Sequence, residues 1–275
     1  MLPLGEFWVI LGLGIAIGVL GAMAGIGGGT LMVPFLTLAM GVPIHPAIAA
    51  SVVAVIATSC AAAAVYLRSG LSNPRLGITL ETATTIGGMT GGLIAVSTGS
   101  FALTLVFAAA LLVTAIAMWR RPEEAAAHEE SGDGQLGDRY FDPRLGRWVR
   151  YRVRRLPIGL GLSVVAGILS GLLGIGGGVV KVPAMTLGMG VPMKAATATS
   201  DFMIGVTAVA SAFIYYAHGA VDVLITTPVA LGVFFGSLVG ARWAPRLATA
   251  TLGKLIALVL AVAAVLMVLR STGLY

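Results

Sequence analysis

Two glycine-rich pentapeptides contain the residues of this sequence best suited to binding a ligand. Gly-Ile-Gly-Gly-Gly occurs at positions 25–29 and again at positions 174–178, each time inside a long apolar run. Glycine is a poor helix former, so each pentapeptide is expected to break a helix. A helix that restarts after such a break presents unpaired N–H groups and a partial positive charge, which together bind anions. The predicted anion-site residues of the two segments are Gly25, Gly27, Gly28, Gly29, Thr30, Gly174, Gly176, Gly177 and Gly178.

A purely structural role for the same glycines is the alternative, because small residues let helices pack closely. We favour the anion site, since packing needs only small residues and not a pentapeptide that recurs unchanged. The pattern is not a P-loop, which would continue as Gly-Lys-Ser/Thr, and it is not a dinucleotide-binding fingerprint.

Two charged residues close to the second pentapeptide are further candidates. Lys181 lies three residues after it, where the first half of the chain has Met32. A lysine at membrane depth is costly and is a functional candidate by default, so we expect it to add positive charge to the anion site. The alternatives are that Lys181 extends to an interface or pairs with Asp201. Asp201 stands where the first half has Val52 and is the candidate for coupling to protons.

Three hydroxyl residues, Ser51, Thr199 and Ser200, lie at the level expected for the anion site. They could bond an anion, or they could bond to carbonyls of their own helices, which is the commoner arrangement. Glu81 is near the start of its apolar run and is predicted to lie at the membrane interface. The sequence has no Gly-x-Ser-x-Gly nucleophile elbow, and no two of its histidines are spaced as metal ligands. We therefore expect no catalytic residue, no metal and no cofactor.

The composition indicates a membrane protein. Of the 275 residues, 58% are hydrophobic and only 10% are charged, whereas soluble domains carry about 25% charged residues. The formal net charge is +6, and nine of the 17 basic residues lie in one loop, which favours positive-inside topology over nucleic-acid binding. The predicted partner is therefore the lipid bilayer.

The order of apolar runs predicts an all-α polytopic membrane protein. Residues 7–40 and 157–190 are too long for one span of about 20 residues, and each is cut by a glycine pentapeptide. Matching residues recur at an offset of 149, as in Tyr66/Tyr215 and Gly70/Gly219. We predict two homologous repeats of about four helical segments each, with a glycine-broken first helix in each. The predicted divisions are residues 1–119 (first repeat), 120–156 (charged linker) and 157–275 (second repeat).

The charges of the linker decide the predicted topology. Residues 120–155 include nine arginines, which place the linker in the cytoplasm. If each broken run crosses once, the two repeats are parallel. If each run enters the membrane, breaks at its glycines and returns to the same side, the repeats are inverted. Arg270 is then the only basic residue of a loop or helix end on the side of the membrane opposite the linker. We favour inverted repeats, which are a common transporter design. The segment Arg147–Arg155 is predicted to form a short basic helix on the membrane surface.

Together these motifs resemble the TauE/SafE family of sulfite and organosulfonate exporters. The resemblance rests on the doubled Gly-Ile-Gly-Gly-Gly-x-x-x-x-Pro, the Gly-Val-Pro turns at 41–43 and 190–192, Ala-Ala-Ser at 49–51, Ala-Thr-Ser at 198–200, and the recurring tyrosine and glycine pairs. The family implies a multi-pass inner-membrane permease for small sulfur-containing anions, coupled to a proton or another cation. An anion channel and a non-transporting membrane scaffold with an arginine-rich linker are the alternatives.

Overall fold

The computed structural model describes residues 4–24, 27–119, 136–142, 146–247 and 250–272. Within these residues the chain forms α-helices and one β-hairpin. The helices are α1 (Leu4–Ala24), α2 (Gly29–Pro34), α3 (Ile44–Arg68), α4 (Pro74–Ser97), α5 (Ser100–Trp119), α6 (Leu156–Leu173), α7 (Gly178–Pro183), α8 (Met193–Ala217), α9 (Val223–Leu247) and α10 (Ala250–Ser271). The strands are β1 (Asp138–Asp142) and β2 (Arg147–Tyr151).

Seven of the described helices are long and apolar enough to cross a membrane, namely α1, α3, α5, α6, α8, α9 and α10. The prediction of an all-α polytopic membrane protein is confirmed. Helix α4 is 24 residues long but is not one of the seven, because its threonines, its glycines and Glu81 make it less apolar. It packs mainly against α6 and α8.

The second glycine pentapeptide interrupts the helix as predicted. Helix α6 ends at Leu173, and Gly174 and Gly177 have φ values of +66° and +69°, a left-handed backbone that glycine adopts without steric cost. The short helix α7 follows at once and continues as a π-helical turn over Ala184–Gly188. Pro183 ends α7, and its missing N–H accounts for the change in helical hydrogen bonding.

The bounds of several elements recur at the sequence offset of 149. Helix α2 corresponds in this way to α7 at both ends, and α3 corresponds to α8. The two halves also interlock, because α1 packs most extensively against α9 and α4 against α6. Whether the halves are inverted or parallel stays a prediction.

The predicted basic helix over Arg147–Arg155 is wrong, because residues 147–151 form strand β2, antiparallel to β1. Side chains alternate between exposed and buried along β2, with Val149 and Tyr151 buried, and this period of two belongs to a strand. The buried face of the hairpin packs on the ends of α4 and α8 and on the segment after α7. Residues 120–135 and 143–145 of the predicted linker lie outside the described residues.

Candidate functional site

The two glycine breaks meet inside the protein. The hydroxyl of Ser51 on α3 lies 3.1 Å from the carbonyl oxygen of Gly29 and 2.7 Å from that of Gly174. A Cβ atom on Gly29 would overlap the Gly174 carbonyl oxygen, so only glycine allows this approach. The structure therefore brings Gly27 and Gly29 next to Gly174 and Ile175, whereas Gly25 lies outside the described residues. Ser51 bonds to carbonyls of the two breaks and not to a carbonyl of its own helix α3.

The other two predicted hydroxyls differ in what they contact. Thr199 accepts a hydrogen bond of 2.9 Å from the backbone N–H of Asn73, so it holds the loop before α4. Ser200, which corresponds to Ser51 at the offset of 149, is fully buried, and its Oγ has no hydrogen-bond partner among the described residues. A buried hydroxyl without a partner is costly. Ser200 is therefore the predicted hydroxyl that remains available to a ligand.

Lys181 forms a buried ion pair with Glu81, which joins α7 to α4. The two atoms Nζ of Lys181 and Oε2 of Glu81 are 3.6 Å apart. Lys181 also donates a hydrogen bond of 3.0 Å to Thr207 Oγ1 on α8, and Thr207 donates one of 2.5 Å to Glu81 Oε1. Lys181 is 2% exposed and Glu81 is 6% exposed. Two predictions are thereby corrected, because Lys181 pairs with Glu81 rather than Asp201, and Glu81 is buried rather than interfacial.

The positions that correspond to this ion pair at the sequence offset of 149 hold no charged residues. At the offset of 149, the counterpart of Lys181 is Met32 and the counterpart of Glu81 is Ala230. Moving two charges into a low-dielectric interior is costly, and removing one partner alone costs about 3–5 kcal/mol. A charged pair kept against that cost, where the other half has apolar residues, is a functional candidate.

Asp201 belongs to a different group of side chains. It is buried on α8, and its backbone carbonyl oxygen accepts a hydrogen bond from the hydroxyl of Ser59 on α3. Its carboxylate also interacts electrostatically with Tyr66, near the end of α3. Asp201 therefore faces α3, whereas Lys181 faces α4.

Tyr215 has a role that the sequence analysis did not assign. Its hydroxyl donates a hydrogen bond to the carbonyl oxygen of Gly171, 2.9 Å away, and also lies 3.3 Å from that of Leu172. These carbonyls belong to the last turn of α6, where no intrahelical N–H is available to them. Tyr215 therefore stabilises the helix end that leads into the second glycine break.

The β-hairpin shares a hydrophobic cluster with the sequence neighbours of Glu81 and Lys181. Asn73 anchors it by donating hydrogen bonds to the carbonyl oxygen of Leu136 and to the hydroxyl of Tyr151. Burial raises the pKa of Tyr151 to about 12, so the hydroxyl stays protonated at neutral pH. A hydrophobic cluster beneath the hairpin, here called the hairpin cluster, reaches residues next to the ion pair. Its members include Leu76, Leu80, Tyr140, Val149, Tyr151, Val182, Met185, Met189 and Met203.

An open cleft of about 350 Å³ lies elsewhere, beside the C-terminal end of α10. Arg270 lines it and donates hydrogen bonds to the carbonyl oxygens of Thr37 and Leu38, where the π-helical turn after α2 ends. None of the predicted anion-site residues lines this cleft. Among the described residues, no three His, Cys, Asp or Glu side chains are grouped so that they could hold a metal ion.

Comparison with known proteins gives matches over nearly the whole chain. The sequence model of one family, described as "Sulfite exporter TauE/SafE", matches residues 10–267. The chain is 26% identical over 262 residues to a probable membrane transporter protein, YunE, of Bacillus subtilis (strain 168), which covers 93% of this chain and 94% of the relative. It is 24% identical over 259 residues to another probable membrane transporter protein of that organism, YdhB, covering 93% and 96%. No solved structure matches the chain.

Proposed function

Because the chain belongs to the sulfite exporter TauE/SafE family, we propose that it is a permease for small sulfur-containing anions, such as sulfite or organosulfonates, and that it binds them between the two glycine breaks. Its relatives carry the name of membrane transporters, and seven of its helices can span a membrane. It is therefore a multi-pass membrane transporter. The sulfur-containing substrate, the site, the inner-membrane location and the cytoplasmic side of the linker are the parts that we propose.

The meeting of the two breaks is the observation that carries this proposal. Helices α2 and α7 begin directly after the two breaks, so each break leads into a helix start whose first N–H groups have no intrahelical partner. With its π-helical turn, α2 forms a continuous helix of eleven residues, Gly29–Ala39. Small anions bind to such N–H groups because the groups are both hydrogen-bond donors and partly positive.

The side chains around the breaks have distinct proposed roles. The buried hydroxyl of Ser200 can donate a hydrogen bond to the anion, since it has no other partner among the described residues. Ser51 and Thr199 position the backbone around the site. Lys181 adds positive charge, and the sequence suggests Asp201 for coupling to a proton or another cation. The two halves would move relative to each other around the site, as in other transporters built from inverted repeats.

Binding of the anion is tested first on the purified full-length protein. Sulfite, thiosulfate, sulfate and small sulfonates are screened by thermal shift, where a ligand at 100 times its Kd stabilises the protein by about 2.7 kcal/mol. Ser200→Ala is expected to reduce the shift. The matched control is Ser211→Ala on the same helix, whose hydroxyl lies within hydrogen-bonding distance of the carbonyl oxygens of Gly88 and Thr207.

Transport is then measured in proteoliposomes with the anion that binds. Saturable uptake that Lys181→Ala weakens, while the protein still folds and inserts, supports the proposal. Single-channel currents would instead indicate an anion channel. If no member of the anion set binds and none is transported, the proposed substrate class is wrong.

A further inference from the structure

The ion pair between Lys181 and Glu81 is connected to the second glycine break. Lys181 lies in the first turn of α7, where its backbone N–H donates to the carbonyl oxygen of Gly177 at 3.0 Å. Its Nζ has three N–H donors, and its polar contacts within the described residues are Thr207 and Glu81. Oε2 of Glu81 accepts no hydrogen bond from any described residue. The pair is thus balanced in charge and incomplete in hydrogen bonds.

We propose that Glu81, in place of the Asp201 that the sequence suggests, binds the coupling proton and that Lys181 changes partner from Glu81 to the transported anion. This inference rests on the proposed function, because it needs an anion at the glycine breaks. In the structure, the charge of Lys181 is balanced by the Glu81 carboxylate. When an anion binds Lys181, a proton from water adds to Oε2 of Glu81, and the carboxylate becomes a neutral carboxylic acid.

The charge balance of the buried site is the physical reason for this exchange. Charges interact strongly where water is excluded, and a buried carboxylate that has lost its cation costs several kcal/mol. An anion alone would leave the site with one net negative charge. An anion together with a proton leaves the site as neutral as it was before. Binding of the two is therefore linked.

The groups around Glu81 leave Lys181 as its sole ionised neighbour in the described part of the chain. Helix α7 contributes Lys181, and α8 contributes the hydroxyl of Thr207. On α4 itself, Thr85 donates a hydrogen bond of 3.3 Å to Oε1. Helix α6, which packs along α4, has no charged residue. Asp201, the acid on α8, interacts with residues of α3.

The sequence also limits the number of protons. The places that correspond to Lys181 and Glu81 hold Met32 and Ala230, so the other half cannot perform the same exchange. One pair implies one proton for each anion. The hairpin cluster includes Leu80 and Val182, the neighbours of Glu81 and Lys181 in sequence, so in this conformation the proton does not have open access from the side of the hairpin.

Infrared difference spectroscopy on the full-length protein in lipid tests the proton site. The probe is methanesulfonate, whose own charge does not change over the pH range of the experiment. Adding it at constant pH is expected to produce the C=O band of a protonated carboxyl group. The band is expected to be lost in Glu81→Gln and kept in Asp201→Asn. A band that persists in Glu81→Gln, or binding of methanesulfonate without any band, overturns the proposal.

The pH dependence of methanesulfonate affinity gives a second readout. If one proton binds with each anion, the affinity of the unmodified protein falls by about tenfold for each unit of rising pH over the range in which anion binding takes up that proton. In Glu81→Gln the affinity is expected to be independent of pH, because the amide cannot bind the proton. An equal pH dependence in both proteins contradicts the exchange.

A failure of the proposed function can be distinguished from a failure of the proton site at Glu81. If no member of the sulfur-anion set binds, the proposed substrate class is wrong, and the proton site is then judged by acidification without any anion. A protonated-carboxyl band that appears on acidification and is missing in Glu81→Gln supports Glu81 as a proton site. The absence of such a band overturns it.

Discussion

Lys181 on α7 and Glu81 on α4 form an ion pair whose atoms Nζ and Oε2 are 3.6 Å apart, although 100 residues separate them in sequence. Glu81 belongs to the first half of the chain and Lys181 to the second. Helix α4 reaches Lys181 because it packs on α6 and α8 of the second half. The ion pair therefore depends on the interlocking of the two halves.

The protein is expected to be more stable with both charges of the ion pair, or with neither, than with only one of them. Lys181→Met should lower the free energy of unfolding by roughly 3–5 kcal/mol, because it leaves the buried Glu81 carboxylate without its cation. The double variant Lys181→Met with Glu81→Leu should recover most of that loss, since apolar residues of similar volume replace the pair. Reversible unfolding in mixed detergent measures both values. Equal stability of the single variant and the unmodified protein would mean that the ion pair contributes nothing.

The glycine breaks could be predicted from the sequence, and the ion pair could not. Glycine acts locally, so four glycines in five residues indicate an interrupted helix whatever surrounds them. The partner of a buried lysine depends on which distant helix packs beside it, and no local pattern contains that information. A signal was nevertheless present, because Lys181 and Glu81 both replace apolar counterparts, Met32 and Ala230, at the offset of 149.

The number of arginines in Arg147–Arg155 predicts a basic helix, whereas the spacing of the side chains along residues 147–151 indicates a strand. Residues 147–151 alternate between side chains that face outward and side chains that pack inward. That alternation predicts a strand. The tertiary surface that buries Val149 and Tyr151 comes from α4, α8 and the segment after α7, which sequence alone does not bring together.

The hydroxyl of Tyr215 is expected to stabilise the end of α6. Tyr215→Phe removes the hydrogen bond to Gly171 and should cost about 1 kcal/mol, with a further cost if the carbonyl stays unsatisfied. The matched control is Tyr216→Phe, since Tyr216 is 71% exposed. Thermal unfolding of the two variants measures the difference. If both variants unfold at the same temperature, the hydrogen bond of Tyr215 does not stabilise the break.

Docking of the hairpin is expected to depend on Asn73. Its side chain donates to Leu136 and Tyr151, and its Oδ1 accepts a hydrogen bond from the N–H of Leu76 at the start of α4. Asn73→Ala should therefore increase amide hydrogen exchange in residues 138–142 and 147–151, because local opening becomes easier.

Asn73→Asp provides the comparison for that experiment. An aspartate still caps α4 but cannot donate to Leu136 and Tyr151. Faster exchange in both variants assigns the effect to the hairpin contacts. Faster exchange in Asn73→Ala alone assigns it to the helix cap and contradicts the anchoring role.

Close approach of the two glycine breaks is expected to make Gly29 intolerant of any side chain. In Gly29→Ala the new Cβ would overlap the carbonyl oxygen of Gly174, and neither backbone can move without disturbing the other break. Both anion binding and transport should fall sharply, with a lower unfolding temperature. Gly12→Ala in α1 is the control, because a Cβ there meets no atom within 4 Å, and alanine should stabilise the helix by about 0.8–1.0 kcal/mol. Equal transport by Gly29→Ala and Gly12→Ala would mean that contact between the breaks is not required for function.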